Sequence, residues 1–178
     1  MSKNPRLLAA MLLGGLLTAA VPLAASAQPA HNIPPSDAME HDSVLAYLGK
    51  ISQRTTPTGA AAKHLAEVMK AHMALEDEFI LPPLSLLPAI ADGTVTPDMR
   101  WAIAMSDRVK ANKEKLQQSH AAITAANLAL MQAAQEEHDE ITLGFSKDLA
   151  ADDLADVEVT EPTVIVIGEI LRAKLPAK

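Results

Sequence analysis

The 178-residue chain contains no cysteine and very few aromatic residues. Without thiols, disulfide scaffolds, zinc–thiolate fingers, iron–sulfur clusters, cysteine nucleophiles and covalent c-type haem are all excluded. The aromatic side chains are limited to Tyr47, Phe79, Trp101 and Phe145, and the net charge is −7. Nucleic-acid binding requires a basic surface or a stacking platform, so the composition predicts no nucleic-acid partner.

The N-terminus has the pattern of a secretory signal peptide. Lys3 and Arg6 precede an apolar stretch, residues 7–20, and Ala25-Ser26-Ala27 matches the small-residue cleavage site. We therefore predict a cleaved signal peptide over residues 1–27, export to the periplasm or the medium, and no stable membrane insertion afterwards. Cleavage would take the net charge from −7 to −9, because two cations are lost. An uncleaved anchor is the alternative, although the stretch is shorter than the ~20 residues that a spanning helix needs.

The mature chain is predicted to contain an irregular tail over residues 28–36 and one all-α domain over residues 37–178. Turn and capping residues divide this domain into four helices. The first helix is N-capped by Ser36 or Asp37 and ends near Arg54, and the second covers residues 60–81 and is stopped by Pro82-Pro83. The third is long, with Thr96 as N-cap and Pro97 at its first position, and is unbroken to residues 136–140. The fourth covers residues 140–173.

The fourth stretch contains many β-branched residues, among them Val157 to Ile167, which are typical of strands. No second β-rich segment exists to pair with it, so we interpret it as a helix bent at Pro162, with Gly168 at a close packing contact. The predicted architecture is an up-down-up-down four-helix bundle.

Helical spacing places several polar side chains on the faces that should be buried. In the first helix His41 shares a face with Val44, Leu48 and Ile51, and in the second His72 and Glu76 share one with Leu65, Val68, Met69 and Phe79. In the third, His120 shares a face with Val109, Leu116, Ile123 and Leu130. In the fourth, Asp152 and Asp156 share one with Phe145, Leu149 and Val159. A competing stripe in the last helix passes through Leu154 and Val157. Burying unpaired carboxylates costs several kcal/mol each, and a metal ion would remove that cost.

His72 and Glu76 are one helical turn apart, close enough to bind one ion or two adjacent ions. The same spacing also occurs in solvated or self-bonded pairs, and a single helix histidine is more often hydrogen-bonded than a ligand. His64 and His138 lie off the stripes and are predicted to be at the surface, and His31 lies in the tail. Spacing alone leaves both interpretations open.

An internal repeat favours the metal interpretation. His41 and Val44 parallel His120 and Ile123, while His72-x3-Glu76-x5-Pro82 parallels Asp152-x3-Asp156-x5-Pro162. The gap between the single ligand-type residue and the pair is 31 residues in the first half and 32 in the second. Two related hairpins facing each other would bring six ligand-type side chains to the centre of the bundle.

Four segments contain the ligand-type residues or follow them: Glu40-His41, His72-Met-Ala-Leu-Glu76-Asp-Glu-Phe-Ile-Leu-Pro82, Ser119-His120-Ala-Ala-Ile123 and Pro162-Thr-Val-Ile-Val-Ile-Gly168. Together they resemble the hemerythrin-like (HHE cation-binding) domain over residues 37–175. The resemblance implies a non-haem di-iron centre with terminal imidazoles and bridging carboxylates. Carried over by position, the pattern matches His41, His72, Glu76 and His120. The family's second His-x-x-x-Glu pair is replaced here by Asp152 and Asp156.

Aspartate oxygens still suit iron or manganese, so the expected metal ligands are His41, His72, Glu76, His120, Asp152 and Asp156. Aspartate is shorter than the residues it replaces, and a mononuclear or empty site is the alternative outcome.

Three classes of function fit the sequence. The leading one is an exported non-haem iron protein that binds dioxygen or a related diatomic ligand, or that holds or senses iron. The second is a metal-free bundle that acts as a binding or structural module. The third is a ferritin-like di-metal oxidase, which the carboxylates favour but which lacks two Glu-x-x-His pairs. The sequence shows no nucleophile–base arrangement, and it does not identify a protein partner.

Overall fold

A computed structural model of the chain describes residues 31–176. The predicted signal peptide, residues 1–27, lies outside the described residues. All regular structure within 31–176 is helical, which confirms the predicted all-α class. None of these helices has the length and apolar character needed to cross a bilayer.

Eight α-helices follow one another, joined in places by other helical turns. They are α1 (Pro35–Ile51), α2 (Pro57–Leu75), α3 (Leu81–Leu84), α4 (Leu87–Ala91), α5 (Trp101–Ala111), α6 (Lys113–Glu136), α7 (Glu140–Ala155) and α8 (Glu161–Lys174). A first π turn (Glu76–Ile80) joins α2 to α3, a second π turn (Asp156–Thr160) joins α7 to α8, and a 3₁₀ turn (Pro97–Arg100) leads into α5. Helix α2 packs between α1 and α6, α6 packs on α7, and α5 packs on α8.

Proline positions explain where the first two helices begin. Helix α1 starts at Pro35, and Pro34 precedes it with an extended backbone and no side-chain cap, so the predicted cap at Ser36 or Asp37 is wrong. Proline is favoured at the first helical position because its missing N–H is not needed there. Helix α2 likewise starts at Pro57, where the Thr56 hydroxyl accepts a hydrogen bond from the Gly59 amide at 3.3 Å.

The predicted stop at Pro82-Pro83 is also wrong. The chain stays helical through the first π turn and into α3, where the two prolines occupy the first turn. At that position a proline removes no required intrahelical hydrogen bond.

The predicted third helix is divided at Asn112. This residue lies between α5 and α6 with φ −104° and ψ 14°, and its side-chain amide donates to the Arg108 carbonyl at 2.8 Å. Asparagine competes with the helical backbone for hydrogen bonds, which explains the break. Thr96 and Pro97 do open this region, as expected, although the Thr96 side chain makes no cap.

The last helical stretch confirms the predicted interruption and the predicted role of Gly168. The second π turn ends just before Pro162. A Cβ atom added at Gly168 would lie 2.2 Å from the Ser106 hydroxyl oxygen, so α5 and α8 approach closely only because this residue is glycine.

The expected buried faces are confirmed in the first three stretches and only partly in the last. His72, Glu76 and His120 are buried with their apolar neighbours. Val159, by contrast, is 61% exposed and Asp152 lies at the surface. His64 and His138 are exposed, as predicted.

Three apolar clusters form the core, with a polar layer between the first two; the third packs Ala102 of α5 against Ile167 and Leu171 of α8. The first joins α1, α2, α6 and α7 around Leu65 and Leu130; the second joins the first π turn, α5, α6 and α8 around Phe79 and Val164. On α6, His120 falls between Leu116 of the second cluster and Ile123 of the first. The imidazoles and carboxylates are therefore held by packed helices on both sides.

Candidate metal centre

Three side chains converge at the centre of the polar layer. His72, Glu76 and Asp156 each offer a ligand atom, and these atoms lie within 4.8 Å of one another. His72 lies in the last turn of α2, Glu76 begins the first π turn, and Asp156 begins the second. Single π turns within α-helices are frequent at functional sites, and here both begin at a candidate ligand.

His72 presents an unpartnered nitrogen to this centre. Its Nδ1 lies 3.0 Å from the Ser119 hydroxyl oxygen. Its Nε2 is fully buried, lies 3.3 Å from Oε1 of Glu76, and makes no hydrogen bond. A buried polar atom without a partner costs about 1–3 kcal/mol, and an ion at this position would satisfy it.

His41 supports Glu76 from helix α1. Its Nε2 lies 3.2 Å from Oε2 of Glu76, and its Nδ1 lies 3.2 Å from Oδ1 of Asp77. Burial alone would lower the pKa of His41, but pairing with these carboxylates raises it. Burial would likewise raise the pKa of Glu76, yet the two neighbouring imidazoles lower it to about 2. Glu76 is therefore ionised at neutral pH despite being 4% exposed.

A small cavity of about 30 Å³ lies against these groups. Its polar lining comprises Glu40, His41, His72, Glu76, Asp152, Asp153 and Asp156. A space of this size matches a single water molecule or ion. Burial, followed by repulsion from Glu76, raises the pKa of Asp156 to about 6. Burial and the nearby Asp152 raise the pKa of Glu40 as well, so the centre has an excess of negative charge that a cation would relieve.

His120 lies beside the centre but is engaged elsewhere. Its ring centroid is 4.4 Å from that of His72. Its Nδ1 donates to Asp153 at 2.7 Å and its Nε2 donates to Glu161 at 3.0 Å. Burial alone would lower the pKa of His120, but these two carboxylates raise it to about 10. Both ring nitrogens therefore carry protons, and neither has a free lone pair for a metal.

The structure thus brings His72, Glu76 and Asp156 within reach of one ion. It places His41 against Glu76, Asp152 at the exposed edge of the cavity, and His120 between two other carboxylates. The donor set of one imidazole and two carboxylates suits iron or manganese.

Sequence reasoning missed Asp153, Glu161 and Ser119. The internal repeat contains a signal for the first two. Equivalent positions of the two halves are 80 residues apart in this region. Asp153 is equivalent to the buried Met73, and Glu161 is equivalent to the buried Leu81. Two apolar-to-acidic exchanges in one half indicate a buried cation there, and His120 is that cation.

We expect Ser119→Ala to weaken metal binding by about 10–100-fold, because loss of an outer hydrogen bond to a ligating imidazole frees its ring orientation and tautomer. Equilibrium dialysis of ferrous or manganous ion against each variant measures this. Ser119→Thr, which keeps the hydroxyl, should restore the affinity. Ser43→Ala is the matched control, since that hydroxyl bonds only the Met39 carbonyl on the exposed side of α1. Equal affinities in the wild-type chain and Ser119→Ala would show that Ser119 does not orient His72.

Comparison with known proteins gives no match: no family model matches the chain, and neither does any curated protein or solved structure.

Proposed function

We propose that this chain is an exported metal-binding protein of the hemerythrin-like type, a four-helix bundle that holds non-haem iron. It either binds dioxygen or a related diatomic ligand at that ion, or holds and senses the iron itself. The observation that carries the proposal is the convergence of His72, Glu76 and Asp156 around a small cavity into which a buried, unpartnered imidazole nitrogen faces. Manganese is the alternative metal for this donor set.

The helix neighbours support the up-down-up-down arrangement. Four helical stretches are formed by α1, by α2 with α3, by α5 with α6, and by α7 with α8. Consecutive stretches contact each other through the pairs α1–α2, α2–α6 and α6–α7. Such packing between chain neighbours joined by short connections is typical of antiparallel bundles.

The two π turns support descent of the two halves from one repeated hairpin. They begin at Glu76 and Asp156, are each five residues long, and are each followed by a helix with proline at its second position. The spacing between the two turns is 80 residues throughout. The same backbone irregularity has therefore been kept in both halves at the candidate ligand.

We propose one ion per chain rather than the two that the resemblance implies. The first half of the repeat supplies His72 and Glu76, with Asp156 added from the second half. A second ion would require His120 to lose a proton and exchange Asp153 or Glu161 for the metal. Because both ring nitrogens of His120 already pair with carboxylates, the second half is better suited to stabilise the fold than to bind metal.

A bound iron would supply Lewis acidity and open coordination positions for a small ligand. The protein's own groups hold the ion, exclude bulk water through the first two apolar clusters, and orient His72 through Ser119.

Metal analysis of the exported protein tests the proposal. The chain is recovered from the periplasmic fraction, and its intact mass shows whether cleavage follows Ala27. It is then loaded anaerobically with ferrous ion, and the metal content and the absorption spectrum with dioxygen or nitric oxide are measured. We expect one ion per chain and a ligand-dependent spectral change. A chain that retains no ion after removal of free metal would contradict the proposal.

The second candidate function is a metal-free helical bundle that acts as a binding or structural module. The internal pairing of charges favours it, because His41 pairs with Glu76 and Asp77, and His120 with Asp153 and Glu161. Under this alternative, ferrous ion leaves the thermal unfolding midpoint unchanged. Under the proposal the midpoint rises with metal concentration, because binding to the folded state alone stabilises it.

A further inference from the structure

A long groove runs along one face of α6 and is lined in part by His120. Two adjoining cavities of about 350 and 600 Å³ form it and share His120 and Val157. Nine α6 residues line it, and six of them form a regular series: Lys113, Gln117, His120, Thr124, Leu128 and Met131. They follow one another at intervals of three or four, which places them on one continuous face of the helix. The opposite wall is formed by α7, the second π turn and α8.

Exposed apolar side chains are concentrated in this groove. Leu128, Leu154, Val157 and Val166 line it and are 40–54% exposed. They are half of the eight large apolar side chains that are exposed within residues 31–176. Scattered exposed apolar residues are normal, but several in one concave surface indicate a binding site.

The two ends of the groove differ in charge. Lys110 and Lys113 line one end. Lys110 pairs with Glu169, whereas no carboxylate in the described part of the chain lies within 4 Å of the Lys113 ammonium. The other end is lined by Leu128, Met131 and Ala150, none of them charged. From Lys113 to Leu128 the groove extends about 22 Å along the helix, a length that an extended long-chain fatty acid matches.

The middle of the groove is polar but already satisfied. His120, Asp153 and Glu161 form its floor there, and they are hydrogen-bonded to one another. An apolar chain lying across them would break none of these hydrogen bonds.

We propose that this groove binds a single-chain amphiphile with an anionic head, of the fatty-acid class. Its carboxylate pairs with Lys113 and its acyl chain extends past Val157 towards Leu128. The unpaired ammonium at one end and the uncharged apolar surface at the other match one head and one tail. None of the three converging ligands lines the groove, although Asp153 lines both the groove and the small cavity. Binding of the amphiphile requires no metal, so this inference does not rest on the proposed function.

Binding of palmitate tests the inference directly. Titration of a fluorescent palmitate analogue, with displacement by palmitate, gives the dissociation constant for the full mature chain. We expect saturable binding of one molecule per chain. Hexadecanol and hexadecylamine, which have the same chain length, should displace the analogue about two- to fivefold more weakly, since they lack the negative charge that the exposed Lys113 would pair with.

Variants locate the site. Lys113→Glu should weaken palmitate binding by about tenfold, and Val157→Lys should abolish it, because an ammonium would occupy the path of the tail. Ile141→Lys is the matched control, since Ile141 is 77% exposed and does not line the groove. All three sites are exposed, so circular dichroism should show unchanged helical content, and Val166→Lys is the substitute should Val157→Lys unfold.

Several outcomes would overturn the inference. These are no displacement by palmitate, equal displacement by hexadecanol, unchanged binding in both Val157→Lys and Val166→Lys, and binding to anionic phospholipid vesicles that free palmitate does not compete. The last result would identify the groove as a membrane-contact surface.

Discussion

Replacing His72 with alanine is expected to abolish metal loading while leaving the helical content nearly unchanged. His72 is the only imidazole among the three converging ligands, and its Nε2 has no other partner. Loss of an outer hydrogen bond to a ligand already costs about 10–100-fold in affinity, so loss of the ligand itself should exceed about 100-fold. Elemental analysis after anaerobic loading measures the metal content, and circular dichroism measures the fold.

Two further variants make the His72 result specific. His64→Ala removes an exposed imidazole from the same helix and should leave metal loading intact. Glu76→Ala should abolish loading as His72→Ala does, because it removes the second buried ligand. If His72→Ala and Glu76→Ala both keep the wild-type metal content, the assignment of the centre is wrong.

Asp156→Asn is expected to act in opposite directions with and without metal. In the metal-free chain, burial and repulsion from Glu76 raise the pKa of Asp156 to about 6, against an ordinary value of 3.8. The ionised carboxylate therefore destabilises the folded state above that pH. At about pH 8 the asparagine variant should be more stable by about 2 kcal/mol, a value reduced from the full linkage energy because Asp156 is partly exposed.

The stability difference between Asp156→Asn and the wild-type chain should depend on pH. As pH falls below about 6, the folded wild-type chain takes up a proton at Asp156 and the difference between the two proteins shrinks. It should vanish only near pH 3, below the ordinary pKa of 3.8, where the unfolded chain is protonated too. With ferrous ion present, the variant loses a ligand and should become the less stable protein.

Urea unfolding of both proteins across this pH range, with and without metal, measures the reversal. Asp152→Asn is the control, since Asp152 lines the same cavity but is exposed, and it should show no comparable pH-dependent gain. An Asp156→Asn variant that binds iron as tightly as the wild-type chain would remove Asp156 from the ligand set.

Helical periodicity predicted much of the centre, because it determines which residues share a face of a helix. His41, His72, Glu76 and His120 all point inward for that reason. Periodicity failed at Val159, which was expected inside with Leu149 and Asp156 and is 61% exposed. The π turn does not explain this by itself, because Phe79 holds the equivalent place in the first π turn and is buried. Which of the two positions is covered depends on the helices packed against it, and one sequence does not give that packing.

The partners of His120 could not be predicted for a different reason. Asp153 and Glu161 come from another helical stretch, and which carboxylate meets which imidazole depends on the rotation and height of two packed helices. The break at Asn112 depends on a local competition for the Arg108 carbonyl, which asparagine wins in this position and loses in many others. Fold class was thus determined by local pattern, and side-chain pairing by tertiary packing.

The polar layer between the first two apolar clusters also bears on folding cooperativity. A continuous core makes a small domain unfold in a single step, whereas apolar clusters separated by a layer of imidazoles and carboxylates can open as units with different local stabilities, even though α6 contributes to both. The first unit would comprise α1, most of α2, the later part of α6, and α7, and the second would comprise α5, α8 and the first π turn. An ion held by His72, Glu76 and Asp156 crosslinks both π turns to α2 at the boundary between these units, so metal occupancy would decide whether the chain unfolds in one step or in two.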